Sequence, residues 1–286
     1  MFRTKISCVI MGGLGNQLFQ IFTIMALSQK MKRLFFFPYK KLEGDKRQHI
    51  YWDTLLNELK KDTLDISLHK LRLPMYKETT FHYNPEIKTH PMITNPLNGV
   101  VLFGYFQSYK YFEKESSQII KYMKLQEKKQ NMKRLLTTIS QNKETISLHF
   151  RLGDYKSLTH HYTALDLKYY ENSIFHILNT ISSEYIALYF CEDNDLAEVE
   201  IKIEQLRIKF PSMLFERAPN NIEDWQSMLL MSCCNHNIIA NSTFSWWSAY
   251  LNTNPNKIVC YPDNWFGPGL PTHTTNDLCP PSWTKI

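Results

Sequence analysis

The stretch that decides the fold of this chain is His149-Phe150-Arg151-Leu152-Gly153-Asp154-Tyr155, which follows a short apolar run at residues 146–148. The apolar run is typical of the end of a β-strand, so the stretch places polar side chains at the carboxyl end of that strand. In α/β proteins this edge of the sheet is where ligands bind. The guanidinium of Arg151 suits a diphosphate, because its planar fork can bond two oxygens at once. From these residues alone, an anion site and a structural Arg–Asp pair at a glycine turn are equal alternatives.

Strands and helices alternate on both sides of this stretch. Strands are predicted at residues 5–11, 34–37, 100–105, 145–150, 185–190, 213–215, 237–240 and 257–261. Helices are predicted at residues 18–31, 111–125, 127–139, 166–181, 196–210, 222–234 and 244–251, with a tail that wraps the surface. This alternation predicts parallel sheets. We therefore expect an α/β protein with two Rossmann-like domains facing a cleft, residues 1–140 and 141–286, joined by a polar linker at 140–144.

Composition narrows the class of protein. The chain has 286 residues, 43% hydrophobic residues and a net charge of +6. This charge suits an anionic small molecule, but it is too diffuse to indicate nucleic acid. The most basic segment, residues 121–133, predicts the solvated face of a helix, with weak peripheral membrane contact as a secondary option. We expect no transmembrane segment, because no apolar run reaches about 18 residues. The six cysteines lack metal-ligand spacing, so we expect reduced thiols and a cytoplasmic protein.

A second motif lies near the N-terminus, in residues 12–17: Gly12-Gly13-Leu14-Gly15-Asn16-Gln17. We expect a tight loop before the first helix, because glycines let the backbone turn and approach a ligand closely. The motif is neither a dinucleotide fingerprint nor a Walker loop, since no Lys-Ser/Thr pair follows. Two alternatives stay open here, amide groups that bind a ligand and a plain turn with an Asn cap.

A third motif surrounds Asn241-Ser242-Thr243-Phe244, where a predicted strand gives way to a helix. A helix start of this kind binds phosphate through its N–H groups, and the alternative is simple capping by Ser or Thr. The acidic segment 191–195 could hold a divalent metal or a substrate hydroxyl, but capping of the next helix is favoured. The indoles of Trp225, Trp246 and Trp247 are predicted to be core.

Taken in order, the three motifs resemble those of the α-1,2-fucosyltransferases, glycosyltransferase family 11, along nearly the whole chain. The resemblance implies a GT-B-like architecture and GDP-β-L-fucose as donor. It also implies metal-independent inverting transfer to the 2-OH of a terminal β-galactose on a glycan, with no cofactor. The absence of a membrane anchor resembles the bacterial or viral members. The C-terminal domain would then bind the GDP-sugar. The N-terminal domain, including residues 39–98, would shape the acceptor side.

The resemblance also implies roles for particular residues. Arg151 matches the arginine that binds the donor diphosphate, and His236 lies where related enzymes contact the guanine. The nucleotide would also contact Asn241, Ser242, Thr243 and Phe244. The loop facing the acceptor or the reaction centre would carry Gly13, Asn16 and Gln17. Asp154 and His149 are candidates for the catalytic base, and Asp154 alternatively orients Arg151. The pair Glu192-Asp193 departs from the paired Asp residues of many relatives.

Two further functions stay open on the sequence. One is a GDP-sugar transferase with a different donor sugar or linkage. The other is a non-catalytic carbohydrate-binding protein.

Overall fold

The computed structural model describes residues 4–40, 50–65, 72–141, 143–156, 158–180 and 184–286. The chain divides into two compact units. The N-terminal unit is Met1–Glu127 with Thr272–Pro280, and the C-terminal unit is Lys128–Pro271 with Pro281–Ile286. Parts of the predicted acceptor region, residues 41–49 and 66–71, lie outside the described residues, as do residues 142 and 181 of the predicted linker and helix.

The N-terminal unit has a three-stranded parallel sheet in the order β1-β5-β4 and a short parallel pair, β2-β3. Its strands are β1 Ile6–Cys8, β2 Phe37–Pro38, β3 Thr63–Leu64, β4 Met75–Lys77 and β5 Val100–Phe103, and its helices are α1 Leu14–Met31, α2 Pro91–Thr94 and α3 Ser116–Tyr122. Helix α1 is buried almost continuously from Leu14 to Ser28. It ends at Lys32, which adopts a left-handed conformation and donates its N–H to carbonyls of the last turn.

The C-terminal unit is built on a six-stranded parallel sheet. The boundary between the units falls within helix α4, Leu125–Ser140. The strands that follow are β6 Glu144–His149, β7 Tyr185–Phe190, β8 Leu214–Arg217, β9 His236–Ile238, β10 Val259–Tyr261 and β11 Thr284–Lys285, and the helices are α5 Leu167–Thr180, α6 Leu196–Lys209, α7 Asp224–Met231 and α8 Thr243–Leu251. Strand β7 is buried at every position, as expected for a parallel sheet covered on both faces.

The strand order of this sheet is β11-β10-β9-β6-β7-β8. The chain starts at β6, moves outward to β8 on one side, and then builds β9 to β11 on the other side. This is the doubly wound order of the Rossmann fold, and the direction reverses between β6 and β9. These two strands pair in register, with Leu148 opposite Ile238. Ligands of such sheets bind at the carboxyl ends of the strands beside the reversal.

The predicted α/β class with parallel sheets is confirmed. The prediction for β7 has the observed bounds, and the other predicted strands and helices of the C-terminal unit differ from the observed ones by a few residues. Strand β11 was not predicted, because it lies in the tail that was expected to wrap the surface, and it pairs with β10. Predictions in the N-terminal unit were less accurate. The strand predicted at 34–37 is present with other bounds, because Phe35 makes only an isolated bridge to Ile6 and β2 begins at Phe37. The helix predicted at 111–125 is reduced to α3.

The three tryptophans that were predicted to be core differ in their burial. Trp246 and Trp247 are fully buried in α8, which confirms the core prediction for them. The same prediction is wrong for Trp225, which is half-buried. Helix α7 begins at Asp224, so Trp225 lies in its first turn and donates its indole N–H to Glu223 over 2.7 Å.

Two further findings concern membrane-spanning helices and cysteines. No helix among the described residues is long and apolar enough to cross a membrane. All six cysteines lie within the described ranges, and each is a free thiol.

Candidate functional site

The loops that follow β6 and β9 are joined by a buried tyrosine. Residues Gly153–Lys156 form a single 3₁₀ turn after β6. Within that turn, Tyr155 is 8% exposed and donates its hydroxyl to the carbonyl of Asn241 over 2.8 Å. Its ring also stacks on that of Tyr162, with the centroids 4.5 Å apart. The loop that carries Arg151 is therefore attached to the start of α8 at the point where the strand order reverses.

Arg151 is a partly exposed cation at this edge of the sheet. Its guanidinium pairs with the carboxylate of Glu192, and its Cζ lies 5.5 Å from the centroid of the Tyr155 ring. The Arg151 side chain keeps 29% of its surface exposed. A guanidinium keeps its charge at all physiological pH values, so an incoming anion finds a fixed positive charge here. Glu192 comes from the loop after β7, so this pair joins the loops that follow two neighbouring strands.

The acidic segment after β7 holds the Arg151 loop. Asp195 is 4% exposed and accepts the backbone N–H of Gly153 over 2.6 Å and the Lys156 ammonium over 3.0 Å. Neither Glu192 nor Asp195 makes a side-chain cap to the helical turns that follow. The favoured prediction is therefore confirmed for the position of these acids at the start of the next helix, but not for a side-chain cap, because the carboxylates instead form charge-assisted bonds to the loop. Among the described residues, no group of three His, Cys, Asp or Glu could hold a metal ion.

The start of α8 lies beside the same loop. Ser242 is its N-cap, has an extended backbone and accepts the N–H of Phe244 over 3.3 Å, so the capping alternative is confirmed. An anion bound at this helix start would compete with the Ser242 hydroxyl for that amide. Thr243 is the first residue of the helix, and the ring of Phe244 lies 5.8 Å from that of His149.

Asn241 is almost completely buried and connects three loops. Its amide donates to the carbonyls of Thr163 over 2.9 Å and of Trp265 over 3.1 Å. At 1% exposure it has almost no surface to offer a ligand. The structure therefore makes Asn241 a positioning residue for the loops around Arg151.

His149 is the last residue of β6 and is 7% exposed. Burial, assisted by the charge of Arg151, lowers the pKa of His149 to about 3. The imidazole is neutral at pH 7, and its buried Nδ1 has no hydrogen-bond partner within the described part of the chain. A buried imidazole with this pKa is a weak proton acceptor. The backbone of Asp154 lies in the 3₁₀ turn, and its side chain lies outside the described residues.

His236 lies at the other edge of the sheet. It begins β9 and pairs with Ile146, three residues before the end of β6, which places it about 10 Å from the edge that carries Arg151. It is 2% exposed, and its Nδ1 accepts the N–H of Ile258 over 3.0 Å. The structure does not bring His236 together with Arg151 and the start of α8.

The predicted loop at 12–17 is mostly helix. The N-cap of α1 is Gly13, which has no side chain, so the alternative of a turn capped by Asn is wrong. Gly12 has a φ of +75°, and a Cβ there would lie 2.6 Å from the Asn16 amide nitrogen. Gln17 is buried and donates to the Gly12 carbonyl over 3.0 Å, so it supports the turn. Asn16 is half-buried and accepts the side-chain amide of Gln107 over 2.9 Å.

Two polar residues at this edge of the N-terminal sheet were missed from the sequence, Glu78 and Gln107. Glu78 directly follows β4 and accepts the N–H groups of Tyr105 over 2.7 Å and Phe106 over 3.0 Å. Burial raises the pKa of Glu78 to about 7, although those two N–H bonds lower it. The sequence did offer one signal for Gln107, since a polar residue shortly after a predicted strand is a candidate for the ligand-binding edge of the sheet. The backbone turn at residues 105–106, which bonds to Glu78, could not be predicted from the residue types.

Comparison with known proteins gives a consistent result. Residues 5–286 match the family model described as Glycosyl transferase family 11. The chain is 30% identical over 320 residues to the O-antigen biosynthesis glycosyltransferase WbnK of Escherichia coli, covering 98% of this chain and 99% of that protein. It is 26% identical over 217 residues to an alpha-1,2-colitosyltransferase of Escherichia coli, covering 68% of this chain and 65% of that protein.

Solved structures share the fold at low sequence identity. A structure of POFUT1 in complex with GDP-fucose has a TM-score of 0.52 at 12% identity and covers 91% of this chain and 98% of that one. A mutant of Arabidopsis thaliana FUT1 in complex with GDP has a TM-score of 0.51 at 9% identity and covers 92% of this chain and 71% of that one. Their likeness is one of fold, and it confirms the GT-B-like prediction.

Proposed function

The chain belongs to glycosyl transferase family 11, and from that premise we propose that it is an inverting galactoside α-1,2-fucosyltransferase. It would move L-fucose from GDP-β-L-fucose to the 2-OH of a terminal β-galactose on a glycan. The observation that carries this proposal is Arg151, a partly exposed guanidinium beside the point where the strand order of a Rossmann sheet reverses. That position is where such sheets bind ligands.

The proposed reaction requires positive charge near the leaving group. Breaking the bond between fucose and phosphate leaves negative charge on the departing GDP. Arg151 would offset that charge through two parallel N–H bonds, and the start of α8 would add the positive end of its helix dipole. Groups fixed before the reaction stabilise the transition state most effectively, and the bonds from Tyr155 and Asp195 fix this loop. On this proposal the charge is neutralised by Arg151 without a metal ion.

A second candidate is transfer of another sugar from its GDP derivative. The observation that favours it is the similarity to an alpha-1,2-colitosyltransferase. Membership of a glycosyltransferase family disfavours the third alternative, a non-catalytic carbohydrate-binding protein.

The test is an incubation with GDP-fucose and a panel of β-galactosides, followed by determination of the linkage of any product. Parallel incubations with other GDP-sugars test the second candidate. Arg151→Ala should lower transfer by about 100-fold or more, because it removes the main charge facing the leaving group. Arg134→Ala is the matched control, an exposed arginine on α4 that should leave transfer unchanged. Near-normal turnover by Arg151→Ala would contradict the proposed role of Arg151.

A further inference from the structure

Glu78 is held at the carboxyl edge of the N-terminal sheet by the backbone that follows β5. Both of its carboxylate oxygens accept the N–H of Phe106, and Oε2 also accepts that of Tyr105. A carboxylate has about four acceptor positions, and these three bonds leave part of that capacity for a further donor. Glu78 is half-buried, so part of its surface stays accessible.

The chain adopts an uncommon backbone conformation to make this arrangement. Phe106 has a φ of +53°, which non-glycine residues rarely adopt, and it directs two successive N–H groups at one carboxylate. Gly104 makes the close approach possible, because a Cβ there would lie 2.4 Å from the Glu78 Cβ. Rare conformations of this kind are found preferentially at functional sites.

The residues on either side of Phe106 carry polar groups that can form hydrogen bonds. Gln107, the next residue, bonds to Asn16 in the first turn of α1, and Tyr105 is 39% exposed. A carboxylate and two side-chain amides therefore lie at one edge of a parallel sheet. That is the ligand-binding edge of the fold.

We propose that Glu78 contacts the acceptor hydroxyl and takes its proton as that hydroxyl attacks the donor sugar. The new bond joins the acceptor oxygen to the anomeric carbon. The bond from that carbon to the β-phosphate oxygen breaks, and its electron pair stays on the GDP. The proton passes from the acceptor oxygen to the Glu78 carboxylate. This inference rests on the proposed function, since it concerns the transfer step.

The acid–base properties of Glu78 agree with this role. Its pKa of about 7 is set by burial, and a base works best when its pKa lies near the working pH. Within the described ranges of the chain, the titratable groups that sense the Glu78 charge are the phenols of Tyr76 and Tyr111. Burial, and to a smaller degree that charge, raise the pKa of both phenols, so neither titrates near pH 7. His149, the other described candidate for the base, has a pKa of about 3.

The test is the pH profile of transfer by three proteins: the wild type, Glu78→Gln and Glu78→Asp. Transfer by the wild type should rise with pH through about 7. Glu78→Gln should lower kcat by about 100-fold to 10,000-fold and lose that rise. The melting-temperature shift caused by GDP should persist, because the donor site is unchanged. Glu78→Asp should keep part of the activity with the rise displaced in pH. Glu86→Gln, an exposed acid of the same unit, is the matched control and should behave as the wild type.

Each possible result either supports or contradicts the proposed role of Glu78. A structural role alone predicts a lower melting temperature and a lower kcat with the wild-type pH profile, in Glu78→Asp as well as in Glu78→Gln. That outcome, or a Glu78→Gln kcat close to that of the wild type, would overturn the inference while leaving the transferase proposal intact. A wild-type protein that transfers no sugar from any GDP-sugar would instead overturn the proposed function and this inference together.

Discussion

Replacement of Asp195 by alanine should loosen the loop that carries Arg151. The substitution removes a bond of 2.6 Å from the Gly153 N–H to a carboxylate that is 4% exposed. Bonds between a backbone amide and a charged group contribute about 1.5–3 kcal/mol. The Lys156 contact at 3.0 Å comes from a half-exposed ammonium and adds little. In a folding unit of this size each kcal/mol shifts the melting temperature by about 2–4 °C, so a loss of about 3–12 °C is expected.

The functional consequence can be measured in the same protein. On the proposed function, a displaced Arg151 would lose its alignment with the GDP diphosphate, and a loss of about 1.4 kcal/mol would raise the Kd for GDP about 10-fold. Differential scanning fluorimetry gives the melting temperature with and without GDP, and calorimetric titration gives the Kd. Asp195→Asn retains an acceptor for the Gly153 N–H, so it should lose less than Asp195→Ala in both measurements.

The control lies two residues away. Asp193 pairs with Arg217, but 68% of its side chain is exposed, and exposed pairs contribute about 1 kcal/mol or less. Asp193→Ala should therefore leave GDP affinity unchanged and the melting temperature nearly so. An Asp195→Ala protein that melts within about 1 °C of the wild type and binds GDP normally would refute the assignment of Asp195 as the support of this loop.

Two more substitutions test charges at the same edge. Glu192→Gln should lower the Kd for GDP by up to about 5-fold in calorimetric titration, because the diphosphate no longer displaces an exposed carboxylate from Arg151; unchanged or weaker binding would contradict this. His149→Gln should reduce the stability lost on acidification. The folded pKa of about 3 lies below the ordinary value of 6.5, so the unfolded chain binds the extra proton and wild-type stability falls as pH drops from about 6.5 towards 3. Urea unfolding at pH 7 and pH 4.5 measures that difference, with the exposed His82→Gln as control; equal acid sensitivity in the wild type and His149→Gln would count against it.

The C-terminal unit was largely predictable because its signals are local. A continuous apolar run predicted β7 with its observed bounds, and Ser242 before an apolar helix predicted the cap of α8. The position of Arg151 after a strand also followed from the pattern. Its pairing with Glu192 did not, because that pair joins residues 41 apart in the chain and depends on β7 lying next to β6.

The N-terminal unit was harder to predict because its strands are short and its turns carry the information. Strand β2 has two residues, which is too few to show a hydrophobic period. The positive φ of Phe106 and the bonds from that turn to Glu78 depend on backbone geometry that its residue types do not indicate. His236 shows a different difficulty. It was predicted to contact the nucleotide, but it begins β9 opposite Ile146, away from the edge that carries Arg151.

The late return of the chain to the N-terminal unit has a consequence for synthesis. Thr272–Pro280 belong to that unit, where Ser108 donates its hydroxyl to the Asp277 carbonyl over 2.5 Å and Lys110 pairs with the Asp277 carboxylate. During translation these bonds cannot form until residues 272–280 have left the ribosome, although domains generally fold in the order in which they are made. The first unit to emerge is therefore completed late. For the same reason, a gene fragment cut at the boundary in α4 would encode an N-terminal unit without this segment.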